Sequence, residues 1–123
     1  MTVPEPKKIL AVVDDLFFTV KILDAAKRAG FAIQFVKSEA DALLQAKERP
    51  ELILLDLNCA SVDPVKLIGQ LKGDEATRAI DLMGYVSHVQ GDLKQAAQEA
   101  GCDMVLARSA FSQNLPQILK RRA

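Results

Sequence analysis

Three aspartates in this 123-residue chain, Asp14, Asp15 and Asp56, stand where side chains do chemistry. Lys8-Ile9-Leu10-Ala11-Val12-Val13 runs into the first two, and Leu52-Ile53-Leu54-Leu55 runs into the third. A short apolar run bounded by Pro50 on one side and polar residues on the other reads as a buried parallel strand, with its chemistry at the carboxyl end. A carboxylate buried alone is costly, so Asp56 calls for a partner. If the two strand ends adjoin, three carboxylates share a pocket. At an effective dielectric near 20, like charges about 4 Å apart repel by roughly 4 kcal/mol. Such a cluster survives by protonating, by pairing with a base or by holding a cation. Hard oxygen donors suit Mg2+, which keeps several waters and takes one or two carboxylates. Beside such a cation a carboxylate can act as a nucleophile toward phosphorus, which makes Asp56 a candidate phosphoacceptor.

The elements that must position these residues follow from hydrophobic period and capping signals. After Asp15, Leu16, Val20, Leu23 and Ala26 predict the inner face of a helix that stops at Gly30. Phe31 to Val36 reads as a strand. Ser38 with Asp41 resembles a capping box, opening a helix through Ala42, Leu43 and Ala46 before Pro50. Beyond the Asp56 strand, Asp63-Pro64 supplies an N-cap and a proline at the first helical position, with Leu67, Ile68 and Leu71 inward and Gly73 as the stop. Ile80 to Val86 is a fourth strand, weakened by Gly84. Asp92 is expected to cap a helix through Ala100, closed by Gly101. Asp103 to Ala107 is a fifth strand, and Asn114 to Arg122 the last helix, with Pro116 near its start. Strands alternating with helices imply an α/β fold. The arrangement expected is flavodoxin-like and doubly wound: a five-stranded parallel sheet, order 2-1-3-4-5, with five helices. Its crevice lies between strands one and three, which brings Asp14, Asp15 and Asp56 together.

Composition narrows the function. Sixteen basic and sixteen acidic residues cancel, so no global field draws the chain to nucleic acid or a membrane surface. No segment reaches the length of a membrane span, and residues 1–6 read as a disordered tail ahead of one domain over 7–123. Cys59 and Cys102, without a secretory leader, suggest reduced thiols and a cytoplasmic protein. One histidine and no paired-ligand spacing argue against zinc.

Taken together, these residues resemble the receiver domain of two-component response regulators, the family of the bacterial chemotaxis regulator. The resemblance rests on Val12-Val13-Asp14-Asp15, Leu54-Leu55-Asp56-Leu57-Asn58, Leu71-Lys72-Gly73-Asp74-Glu75-Ala76-Thr77-Arg78 and Glu99-Ala100-Gly101-Cys102-Asp103, and spans roughly Lys7 to Arg121. It implies that Asp56 is phosphorylated by a histidine kinase or small phosphodonor. It also implies that Asp15 binds Mg2+ directly, that Asp14 acts through water or hydrogen bonds, and that Asn58 offers its backbone carbonyl. A downstream protein, or a second copy in a homodimer, would read the state on the face formed by helix four, strand five and helix five. The module is then a signalling domain and not a turnover enzyme.

The chain departs from the family pattern at several positions. The hydroxyl expected at the end of strand four falls on Val86, or on Ser87 with a one-residue slip, and both alignments stand. Arg108-Ser109 replaces the family's Lys-Pro, exchanging a compact point charge for a planar fork. Arg108 either binds the phosphoryl group or pairs permanently with Asp56 or Asp15. Val105 stands where an aromatic switch is usual, and the loop after Asp56 has Ala60 and Pro64 in unusual places. An alternative reading is therefore a pseudo-receiver, an interaction module independent of phosphate. A phosphohydrolase with an aspartyl intermediate is disfavoured, because Asn58 occupies the place of its general acid. A dinucleotide site fails for want of a glycine-rich turn after strand one. His88 beside the site and Cys59 are weaker candidates for proton transfer and redox sensing, and Tyr85 reads as core.

Overall fold

The computed structural model describes residues 7–87 and 91–123. Strands β1 (Lys8–Val12), β2 (Ala32–Val36), β3 (Leu52–Asp56), β4 (Asp81–Val86) and β5 (Met104–Ala107) alternate with helices α1 (Leu16–Ala29), α2 (Glu39–Ala46), α3 (Pro64–Gly73), α4 (Gly91–Ala100) and α5 (Arg108–Arg122). All neighbouring strands are parallel, in the order β2-β1-β3-β4-β5. This is the flavodoxin-like topology read from the sequence. The apolar runs of β1 and β3 form the middle of the sheet, where burial on both faces demands them. Leu10, Ile53 and Leu55 face Ala42, Leu67, Ile68, Leu71 and Ala97 from α2, α3 and α4. Ile9, Leu52 and Leu54 face Phe18, Ile22, Phe111, Leu115 and Leu119 from α1 and α5.

Local chemistry sets the ends. Ser38 Oγ accepts from the Asp41 N–H at 3.1 Å, and Asp63 Oδ1 from the Lys66 N–H at 3.2 Å. Gly30 closes α1 with φ at 85°, where a side chain would strain the backbone.

Several expectations are corrected. The inner face of α1 is Phe18, Ile22, Ala25 and Ala26. Leu16 and Val20, expected inside, are 78% and 58% exposed. The helix carries two apolar stripes, and the one bearing Phe18 packs because its ring stacks on Tyr85. Helix α5 begins at Arg108, not Asn114, and Pro116 sits inside it. Phe111 alone anchors those first turns, stacking on Tyr85. Pro116 has no N–H, so the carbonyl of Ser112 forgoes an intrahelical bond. Helix α4 begins at Gly91, with Asp92 in its first turn, where a negative charge suits the helix dipole, instead of at the cap. Strands β4 and β5 each start one residue later than expected. Gly84 lies inside β4, where a Cβ would come within 3.1 Å of the Leu57 side chain.

Candidate functional site

Two local features bring the acids to one place. Strand β1 pairs with β3 through Val12 and Leu55, so the residues that follow each strand leave the sheet side by side. Asp56 is the last residue of β3, only 4% exposed, and its Oδ1 accepts from the Asn58 N–H at 2.8 Å. No other described group bonds this carboxylate. Burial pushes its pKa up; the Asn58 N–H and the Arg108 charge pull it down, and Asp14 and Asp15 push it up again.

Asp14 is exposed. Asp15 is half-buried and caps α1: its Oδ1 accepts from the N–H groups of Phe17 at 2.7 Å and Phe18 at 3.3 Å. Among the described residues, no three acidic, histidine or cysteine side chains gather closely enough to hold a metal. A cation here would lean on one or two carboxylates, a backbone oxygen and its own waters. That is the habit of Mg2+, and the oxygen donors present fit it.

The ends of β4 and β5 complete the surroundings. Val86 is buried in the core, whereas Ser87 follows the strand and its N–H donates to Asn58 Oδ1 at 3.2 Å. Ser87 borders a cleft of about 560 Å³, shared with Asp15, Phe17, Phe18, Arg108 and Ser109. Arg108 forms no ion pair with Asp56, Asp15 or any other described carboxylate, so the permanent pairing considered from the sequence is not made. Its guanidinium carbon instead lies 5.6 Å from the centre of the Phe18 ring, and its Nε is buried without a partner. Cys59 and Cys102 are buried free thiols, with Cys59 Sγ 3.2 Å from Ser61 Oγ. His88 lies outside the described residues.

Sequence reasoning missed Tyr85 as a neighbour of the site. The parallel register sets it directly across from Asp56, and its ring stacks between Phe18 and Phe111. The available signal was alternation, since Tyr85 and Ser87 share one face of β4.

Fold and pocket together define a doubly wound α/β domain with an acidic centre at its topological switch point. No family model matches the chain. It is 32% identical over 110 residues to the acid tolerance regulatory protein ActR of Rhizobium meliloti, covering 82% of this chain and 57% of ActR. The chain thus spans little more than half the length of that relative. The phosphorylated cyanobacterial phytochrome response regulator RcpA superposes with a TM-score of 0.79 at 23% identity, covering 95% of this chain and 91% of that one. The receiver domain of the sensor histidine kinase PA1611 from Pseudomonas aeruginosa, with a magnesium ion in its active site cleft, gives a TM-score of 0.81 at 20% identity, covering 95% and 97%. This chain is a response-regulator receiver domain, a module of two-component signal transduction. Val105 and Arg108-Ser109 make it an atypical one.

Proposed function

We propose that Asp56 is the phosphoacceptor of this receiver. The observation that carries this reading is a single buried carboxylate at the end of β3, held at one oxygen by Asn58 and acted on by two further aspartates and an arginine. The remaining oxygen, Oδ2, is the nucleophile. It forms a bond to phosphorus as the bond from phosphorus to the donor breaks, and the donor leaves with the electron pair. A histidine kinase or a small phosphodonor supplies the group. Asp15, Asp56 and the Asn58 carbonyl are the residues that would hold Mg2+, with Asp14 acting through water, and the ion would neutralise charge on phosphoryl oxygens when bound. Arg108, in no ion pair with a described residue, offers a fork of donors to the transferred group, and Ser87 offers its hydroxyl from the cleft.

The output is a change in protein contacts on the face formed by α4, β5 and α5, read by a downstream protein or a second copy. On this reading the module is a cytoplasmic switch and not a turnover enzyme. The RcpA and PA1611 neighbours, one phosphorylated and one holding magnesium, support the chemistry.

The test is to add Mg2+ and beryllofluoride, a phosphoryl mimic, and record amide shifts with Asp56→Asn as control. Shifts at Asp56, Ser87 and Arg108 that spread to α4 and vanish in the variant are expected. A response to Mg2+ alone, or none at all, would replace this reading with the phosphate-independent interaction module.

A further inference from the structure

One hydroxyl beside Asp56 has no use in the resting fold. Tyr85 is 0% exposed, and no group among the described residues bonds its Oη. Leaving a buried O–H unpaired is costly, and nearly all buried polar groups in folded proteins find partners. Phenylalanine would fill the same volume without that cost, so packing does not account for the oxygen. The ring is gripped on both sides, 4.7 Å from Phe18 and 4.4 Å from Phe111 between centroids, in near-parallel stacks. The hydroxyl is therefore held in one place.

That place adjoins the site. Tyr85 is the register partner of Asp56, and both side chains leave the sheet on the side covered by α1 and α5. Burial acts most strongly on the hydroxyl and raises its pKa; next come the charges of Asp56 and Asp15, and then Arg108 in the opposite sense. A phenol is an O–H donor at neutral pH in any case. Among the described residues the other buried side-chain donor without a partner is Arg108 Nε, another group that acts on Asp56. Two unpaired donors among the described residues thus belong to neighbours of Asp56.

We infer that Tyr85 Oη is a ligand to the phosphoryl group on Asp56, donating a hydrogen bond from inside the core where Val86 has no hydroxyl to give. This deepens the phosphoacceptor reading and rests on it. In the resting state Asp56 presents one oxygen to Asn58, and neither oxygen bonds the phenol. A tetrahedral phosphoryl group on the same side chain carries acceptor oxygens farther out, and a fixed donor gains its partner. No bond breaks in this step. The orphaned hydroxyl is a cost to the resting fold that the modified state relieves, so it favours the modified state.

Tyr85 is the sole tyrosine in a chain without tryptophan, so intrinsic emission reports on this ring alone. Titrating the full chain with Mg2+ and beryllofluoride is expected to change that emission with the same midpoint as the Asp56 amide shifts. Tyr85→Phe keeps the ring stack and removes the oxygen. It is expected to melt at the same temperature or higher, to bind Mg2+ as before and to bind beryllofluoride roughly tenfold more weakly. Unchanged beryllofluoride affinity in Tyr85→Phe would overturn this inference and leave the phosphoacceptor reading standing. A wild-type chain that ignores beryllofluoride would overturn both. A variant that melts lower and loses Mg2+ and beryllofluoride alike would show a structural role only, and would also overturn it.

Discussion

Asp56 holds a negative charge where little water reaches it, and its cost is measurable. The folded-state pKa lies above the unfolded one, chiefly because of burial. Protonation therefore favours the folded state: the contribution is fully present below about pH 3.9 and is lost as pH rises through the folded value. At pH 7 the ionised carboxylate destabilises the resting domain. Asp56→Asn, which keeps the shape and removes the charge, is expected to raise Tm by ~4 °C, about 1 kcal/mol, at pH 7. The difference should close as the melts are run toward pH 3.5. No gain at pH 7 would mean that Arg108 compensates the charge without an ion pair. The acids of this site were legible in the sequence, because a carboxylate ending an apolar run is an anomaly that demands a cause. Tyr85 was not, because a tyrosine in a strand is ordinary until its hydroxyl is found to lack a partner. The different surroundings of Val86, buried at the end of β4, and Ser87, on the cleft, could not be read from two adjacent letters.

Between elements, one ammonium does much of the fastening on the side away from α1. Lys72 Nζ, near the end of α3, donates to the carbonyls of Arg78 at 3.1 Å and Ile80 at 2.9 Å and to Asp103 Oδ2 at 2.8 Å. The same carboxylate oxygen accepts from the Leu82 N–H, so α3, β4 and the approach to β5 share a junction. Gly101 lies against it: a Cβ there would meet Lys72 Cγ at 2.8 Å, on a backbone already at φ 114°. Lys72→Met keeps the stem and removes the three bonds, and should cost about 2 kcal/mol by urea denaturation. Asp103 gives the pH sign. Burial would raise its pKa, but Lys72 and the Leu82 N–H together hold it below the usual value. Its stabilising share is present above about pH 4 and lost as pH falls through the folded value. The gap between wild type and Lys72→Met should therefore narrow in acid, and a gap constant from pH 7 to pH 3 would sink this account. Elements were legible where capping and period agreed, as at Ser38 and Asp63-Pro64. They misled where an apolar stripe had a rival, as on α1, or where a helix opened without any capping side chain, as at Ala107 ahead of α5.

At the scale of the whole molecule, alternation of runs and turns was enough to fix the topology, since a parallel neighbour requires a crossover and few crossovers are compatible with one sheet. What alternation could not give was the uneven burial of that sheet. All five residues of β3 are buried, as are four of the five in β1, while β2 is half-covered and β5 has one buried residue in four. Asp56 thus stands on the firmest strand, and Arg108 follows one of the least buried. On the proposed reading, a switch built this way would keep its acceptor fixed and leave the sensing end free to adjust. Native-state hydrogen exchange tests the claim, because amides that open only with global unfolding share the full urea dependence, whereas locally opening ones do not. Amides of β1 and β3 should exchange at the global limit, and those of β5 should exchange faster with a weaker urea dependence. Adding Mg2+ and beryllofluoride should slow exchange in β5 and the first turn of α5 while leaving β3 close to its resting rate relative to global stability. Equal protection of β3 and β5 in the resting protein would remove the mechanical asymmetry. The output proposed for β5 and α5 would then need a rigid-body shift in place of local ordering.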